Sequence, residues 1–198
     1  AYTQEAAVLD VDGDGDLDLY LTNDFGAYVT PNQLLLNDGS SNFSLAEDCF
    51  CDLATFSMAA AVGDLNSDGL PDLWITDIGR PDLLLNAGDG SFYDGTAALT
   101  ALLPGDDDQL ISWGTLATDL NLDGTPDLPT VFGYIAEIQR DSIDKLDPSW
   151  TFSEAQRDAL LLGGPDGFAE VGEAVGFASE ANHRALIRAD LDLSLIHI

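Results

Sequence analysis

A nine-residue acidic pattern, Asp-x-[Asp/Asn]-x-Asp-Gly-x-x-Asp, recurs along this chain and sharply limits what it can fold into. It stands at Asp10 to Asp18, Asp64 to Asp72 and Asp119 to Asp127, with starts 54 and 55 residues apart. Asp190 and Asp192 open a fourth copy 71 residues after the third, the extra length falling between Gly133 and Ala159. Self-similarity at such a period is the mark of a repeat architecture, in which each unit buries apolar surface against its neighbours.

The repeat extends past the acidic stretch. Leu34-Leu-Leu-Asn37, Leu83-Leu-Leu-Asn86 and Leu160-Leu-Leu-Gly163 recur, each followed by a Gly-containing turn and then by Phe43, Phe92 or Phe168. Unit two therefore predicts four short strands, Ala59 to Gly63, Leu73 to Thr76, Asp82 to Leu85 and Ser91 to Asp94, separated by turn residues as in a meander. In unit one the second strand alternates, with Leu17, Leu19 and Leu21 on one face and Asp18, Tyr20 and Thr22 on the other. Four strands in about 50 residues is the size of a propeller blade. The expectation is an all-β chain: a β-propeller fragment of about three blades and the start of a fourth. The blade units are 1–56, 57–111, 112–181 with an insertion at 134–158, and a truncated 182–192. Leu193 to Ile198 resembles a transposase adapter read in frame, so these six residues, His197 included, are set apart. Pro129, at the place of Tyr20 and Trp74, cannot donate to a ladder and predicts a short or distorted second strand in unit three. The insertion predicts one short helix over 154–161, from the capping box of Ser153 and Gln156.

The acidic loops have the chemistry of hard-cation sites. Side-chain oxygens fall at positions 1, 3, 5 and 9: Asp10, Asp12, Asp14 and Asp18; Asp64, Asn66, Asp68 and Asp72; Asp119, Asn121, Asp123 and Asp127. Position 7 varies as Asp16, Leu70 and Thr125, which makes sense if its backbone carbonyl ligates, while Gly15, Gly69 and Gly124 supply the sharp turn. Calcium takes about six to eight oxygens at ~2.3–2.6 Å, and alternate residues of a tight loop can meet that demand. An EF-hand would need an acid at position 12, where Leu21, Ile75 and Thr130 stand, and soft metals would need His or Cys near the loops. Plain Asp-Gly hairpin turns are the competing reading. It would leave five carboxylates of loop one crowded without a counterion.

At these residues the chain resembles the FG-GAP or VCBS repeat family, whose calcium loops decorate propellers similar to the integrin α-subunit head. Ser112-Trp-Gly-Thr115, Asn86-Ala-Gly-Asp-Gly-Ser-Phe92 and the longer third unit are similar to the subgroup carrying an ASPIC/UnbV segment. The resemblance covers about residues 1–192. It implies structural Ca²⁺ sites, including Asp190 and Asp192 of the fourth loop, an exported protein (extracellular, cell-surface or periplasmic), and protein or carbohydrate binding more than catalysis.

Composition sets the remaining bounds. With 36 acids against 6 Lys and Arg, a formal charge of -30, no basic face exists for nucleic acid. The acids are 29 Asp and 7 Glu, a bias toward turns and cation loops over helix faces. No apolar run is long enough for membrane insertion. Serine-nucleophile, P-loop and dinucleotide motifs are missing from the sequence, and His183, at the start of an expected strand, has no evident acid or nucleophile partner. An extracellular propeller enzyme, a polysaccharide lyase or hydrolase, is the alternative. Arg140 and Lys145 with Asp141 and Asp144 are the acid-and-base cluster it would call on. Asp106-Asp-Asp108 reads as a solvated loop or an extra cation site. A bridge between Cys49 and Cys51 would be strained, which leaves pairing with cysteines elsewhere or free thiols. In a four-strand meander the acidic loops share one face with the turns after strand three. The opposite face collects 24–31, 49–56, 100–111 and 134–158, and recognition is expected there.

Overall fold

The computed structural model describes residues 1–97, 103, 110–134 and 156–189. Three four-stranded antiparallel sheets follow one another in sequence, each a simple meander. The first holds β1 (Tyr2–Leu9), β2 (Asp18–Asp24), β3 (Gln33–Asn37) and β4 (Phe43–Leu45). The second holds β5 (Ala60–Gly63), β6 (Asp72–Ile75), β7 (Asp82–Asn86) and β8 (Phe92–Asp94). The third holds β9 (Ser112–Thr115), β10 (Leu128–Phe132), β11 (Ala159–Leu162) and β12 (Ala169–Glu170). The four strands expected for unit two are thus present within a residue or so at each end.

Alternation along each strand lets one sheet serve two neighbours. Ala7, Leu9, Tyr20 and Leu34 of the first sheet pack against Leu73, Ile75 and Leu84 of the second. The other face of the second sheet, Ala61, Trp74 and Leu83, packs against Leu128, Ala159 and Leu161 of the third. Tyr20 and Trp74 occupy equivalent positions, both fully buried, and each contributes about 2–3 kcal/mol of burial. On β2 the buried row is Asp18, Tyr20 and Thr22, while Leu17 is exposed and Leu19 and Leu21 are half-buried. The half-open face carries a continuous cross-strand row, Val8, Leu19, Leu35 and Leu45. In the second sheet the same row, Val62, Leu73 and Leu84, is the one covered by the preceding sheet.

Unit three corrects one expectation and refines another. Ala159 to Leu162 is strand, paired as Leu128 with Leu161 and Pro129 with Leu160, and residues 156–158 are not helical. The helix expected over 154–161 therefore fails on its described part. Pairing of the Leu-Leu-Leu run with β10 outweighs the helical propensity of the residues before it. Ser153 to Ala155 lie outside the described residues. Proline at position 129 does not shorten β10. The distortion appears in its pairing with β9, whose register slips between Thr130 and Phe132. Residues 182–189 form no assigned strand, yet His183 N–H donates to Phe132 O, and a Cβ on Gly114 would lie 2.7 Å from Leu186 N. The segment 183–186 thus lies against sheet three.

Cys49 and Cys51 are bonded to each other, against the expectation of outside partners or free thiols. Phe50 between them has φ 52° and Asp48 before them φ 56°. This left-handed turn folds the chain back until the two Cα atoms are 5.1 Å apart, inside the range a bridge needs.

Candidate metal loops and the opposite face

The three acidic loops are built on one hydrogen-bond plan. The position-1 carboxylate accepts the N–H of the position-6 glycine in each: Gly15 to Asp10 at 3.1 Å, Gly69 to Asp64 at 2.9 Å, Gly124 to Asp119 at 2.9 Å. The position-5 carboxylate accepts the position-7 N–H: Asp16 to Asp14, Leu70 to Asp68, Thr125 to Asp123. Position 3 accepts from position 5, as in Asp68 N–H to Asn66 and Asp123 N–H to Asn121, both 3.0 Å. Position 6 is left-handed in every loop, as the glycine predicts, and so is position 4: Gly13 at 74°, Ser67 at 63° and Leu122 at 62°. Holding Ser67 and Leu122 there costs about 1–2 kcal/mol each, a strain the sequence did not announce because neither is glycine.

Position 9 differs from the others. Asp18, Asp72 and Asp127 are buried, and both oxygens of each accept backbone N–H groups. One donor is position 2 of the loop: Val11, Leu65 and Leu120, at 2.9, 2.8 and 2.7 Å. The other lies at the end of strand three: Asn37, Asn86 and Gly163, at 2.8, 2.8 and 3.0 Å. This aspartate ties the loop to the turn after strand three. Burial pushes the Asp72 carboxyl up to about 6 despite those bonds, with the nearby Asp68 and Asp64 charges acting in the same direction. Asp16 is also held above the usual aspartate range, by desolvation and then by Asp14, Asp10, Asp38 and Asp18.

Loop one passes a geometric test for a cation. Asp10, Asp12 and Asp18 each offer an oxygen, all within 4.8 Å of one another. Oxygens bound to one centre at ~2.4 Å can be no farther apart than about twice that distance, so the donors fit an ion of calcium size. Loops two and three repeat the hydrogen-bond plan with Asp64, Asn66, Asp68, Asp72 and Asp119, Asn121, Asp123, Asp127. There the Asn side chain donates to the position-5 carboxylate, Asn66 to Asp68 at 2.8 Å and Asn121 to Asp123 at 2.9 Å. Leu70 and Thr125 stand at position 7 as expected. Asp190 and Asp192 lie outside the described residues.

The acidic loops adjoin the turns after strand three. Asp64 to Ser67, Thr125, Gly163 and Phe168 line one cavity of about 150 Å³. At the other end of the sheets lie side chains that sequence spacing did not connect. His183 Nδ1 meets Asp158 Oδ2 at 2.7 Å, and Asp158 Oδ1 accepts Phe132 N–H at 2.9 Å. At the equivalent place in sheet one, Asn32 accepts Asn23 N–H and donates to Ser57 Oγ, both 2.8 Å. The repeat register, not local spacing, is the signal that would have found this partner for His183. Asp77 bridges units as well: its Oδ1 accepts Phe56 N–H at 2.7 Å, and its own N–H donates to Ser112 Oγ at 2.8 Å. Burial, then Asp82, pushes the Asp77 carboxyl up to about 7, and burial pushes Asp82 to about 6. A larger cavity of about 430 Å³, bordered by Thr30, Gln33, Leu45, Glu47, Asp48 and Asp52, also opens here. Asp106 to Asp108 and the cluster of Arg140, Asp141, Asp144 and Lys145 lie outside the described residues.

A family model described as an FG-GAP-like repeat matches residues 10–75 and 64–128. The chain belongs to the FG-GAP-like repeat family. Both matches begin on position 1 of an acidic loop and end on the second strand of the next sheet, so the FG-GAP unit is the period read above. No curated protein matches the chain. Among solved structures it is similar to a lectin from Agrocybe aegerita, described by its recognition of non-reducing terminal N-acetylglucosamine. That similarity has a TM-score of 0.44 and 17% identity, and covers 90% of this chain and 42% of the other. The chain thus spans less than half the length of that lectin. Among the described residues no helix is long and apolar enough to cross a membrane.

Proposed function

We propose that this chain is part of a calcium-stabilised FG-GAP propeller that works as an exported binding module for a protein or glycan ligand. The observation that carries the reading is the three-fold recurrence of one loop geometry, with three carboxylate oxygens of loop one already within 4.8 Å of one another. Asp10, Asp12, Asp14 and Asp18, with the Asp16 carbonyl, would hold the ion in loop one. Asp64, Asn66, Asp68, Leu70 and Asp72, and Asp119, Asn121, Asp123, Thr125 and Asp127, would do so in the next two. Bound Ca²⁺ supplies charge compensation where carboxylates are densest. The loops fill most coordination positions themselves, so the ion acts as a folding ligand. Extracellular modules bind calcium at about 10⁻⁴–10⁻³ M, which suits an extracellular, cell-surface or periplasmic setting. The half-open row Val8, Leu19, Leu35 and Leu45 supports the fragment reading, since its counterpart in the second sheet is covered by a preceding blade. Within the family, membership of the ASPIC/UnbV-associated subgroup is proposed on Ser112 to Thr115, Asn86 to Phe92 and the longer third unit.

Melts in chelator, Ca²⁺ and Mg²⁺ test this. Calcium is expected to raise the midpoint well above magnesium, because a many-oxygen loop suits the larger ion. An unchanged midpoint on calcium addition would remove the metal from the reading. The enzyme alternative, a lyase or hydrolase acting opposite the calcium loops, is favoured by the oriented His183–Asp158 pair and the Asp77 and Asp82 carboxyls at that end.

A further inference from the structure

The end of the sheets remote from the aspartate loops carries a run of four aromatic rings. Phe25 lies between Tyr2 and Phe56, with ring centroids 5.8 and 5.3 Å away, and Tyr28 meets Phe56 at 6.1 Å. Phe56 is buried, while Tyr2 and Tyr28 are 61% and 55% exposed, so the inner rings hold the outer ones in place. The contacts are inclined, at 60°, 66° and 53° between planes, and leave ring surface open to solvent.

The loop that presents these rings is a built structure. Phe25 takes φ 58°, a conformation non-glycine residues adopt rarely. Gly26 N–H donates to Thr55 O at 2.7 Å, and a Cβ there would collide with the Thr55 backbone at 2.7 Å. Tyr28 and Val29 N–H both donate to Phe25 O, and Phe25 N–H donates to Asp24 Oδ1. Asp24 is the direct cross-strand partner of Tyr2 and hydrogen-bonds Gln4.

We propose that Tyr2, Phe25 and Tyr28 form a stacking platform for a pyranose ring of a neutral or amino-sugar glycan, with Asp24 and Gln4 receiving its hydroxyls. This rests on the binding-module reading and names its ligand class. Aromatic faces meet the C–H face of a sugar, and a few fixed polar groups beside them orient it. The polar groups here favour a sugar over a peptide. Four backbone N–H groups of the turn are spent internally, leaving few donors for a peptide's carbonyls, whereas carboxylate and amide oxygens accept hydroxyl protons. A chain of charge -30 with the Asp24 carboxyl beside the rings disfavours uronates and other acidic sugars.

Affinity electrophoresis of the calcium-loaded chain tests this in gels containing β-glucan, xylan, galactomannan, glycol chitosan or polygalacturonate, with Tyr28→Ala and the Tyr2→Ala/Tyr28→Ala double variant alongside. At least one of the first four is expected to retard the wild type. Polygalacturonate should not, the single variant should lose at least about tenfold in affinity, and the calcium-dependent melt of each variant should match the wild type. No retardation by any neutral or amino polysaccharide overturns the platform, as does retardation that survives the double variant or is seen with polygalacturonate. Binding of a basic or proline-rich peptide lost on Tyr28→Ala would assign the rings to a protein partner instead. The calcium melt is read separately, so the platform can fail while the calcium-stabilised module stands.

Discussion

Position 5 and position 9 of the acidic loops look alike in sequence, and the structure says their removal should differ sharply when calcium is absent. Asp68 is exposed and its bonds stay inside the loop, whereas Asp72 is fully buried and holds Leu65 N–H and Asn86 N–H at 2.8 Å each. Asp72→Ala leaves two backbone donors in the protein without acceptors. At roughly 1–3 kcal/mol for each unsatisfied group, less the relief from no longer burying a carboxylate, the net loss is about 3 kcal/mol. In a domain of this size that lowers Tm by roughly 6–12 °C. Asp68→Ala should cost under about 1 kcal/mol in chelator and express its defect only in calcium, as a weaker rise of Tm with ion concentration. Scanning calorimetry of wild type, Asp68→Ala and Asp72→Ala, each in chelator and in millimolar calcium, separates the two. Equal melting of both variants in chelator would refute the anchoring role of position 9, which it carries in addition to offering an oxygen to the ion. Asp18 and Asp127 should behave as Asp72 does.

Asp77→Asn keeps an acceptor for Phe56 N–H and removes a buried acid. The folded-state pKa is raised to about 7, so the folded chain binds a proton that the unfolded chain has lost; wild-type stability falls as pH rises from about 4 to 7. The variant should therefore gain at pH 8, by at most about 4 kcal/mol, and gain little at pH 4, as urea melts at both values would report. Tyr20→Phe removes the hydroxyl that donates to Cys51 O at 2.9 Å and accepts from Asn32 at 3.1 Å, and should cost about 1–2 kcal/mol in the same assay. Reducing Cys49–Cys51 opens a loop of only three residues, so chain entropy predicts a loss under about 2 kcal/mol and a Tm shift of a few degrees.

The sequence by itself determined the strand meander, the loop plan and the period. These are local: alternation fixes a strand's faces, and Gly15, Gly69 and Gly124 allow a turn that a side chain would forbid. Even the third strand of unit three was written in Leu160 to Leu162, where the repeat register was right and the capping box at Ser153 misled. The tertiary structure decided what depends on residues distant in the chain. Only packing shows that Asp72 reaches Asn86 N–H, that Asp158 meets His183, and that Tyr2, Phe25, Tyr28 and Phe56 gather at one end. Cys49 and Cys51 close on each other because Phe50 enters a left-handed turn, a conformation that composition disfavours and that the surrounding blades must hold. Local rules set which residues can lie on a face, and the energy of burying those faces against one another selects which of them meet.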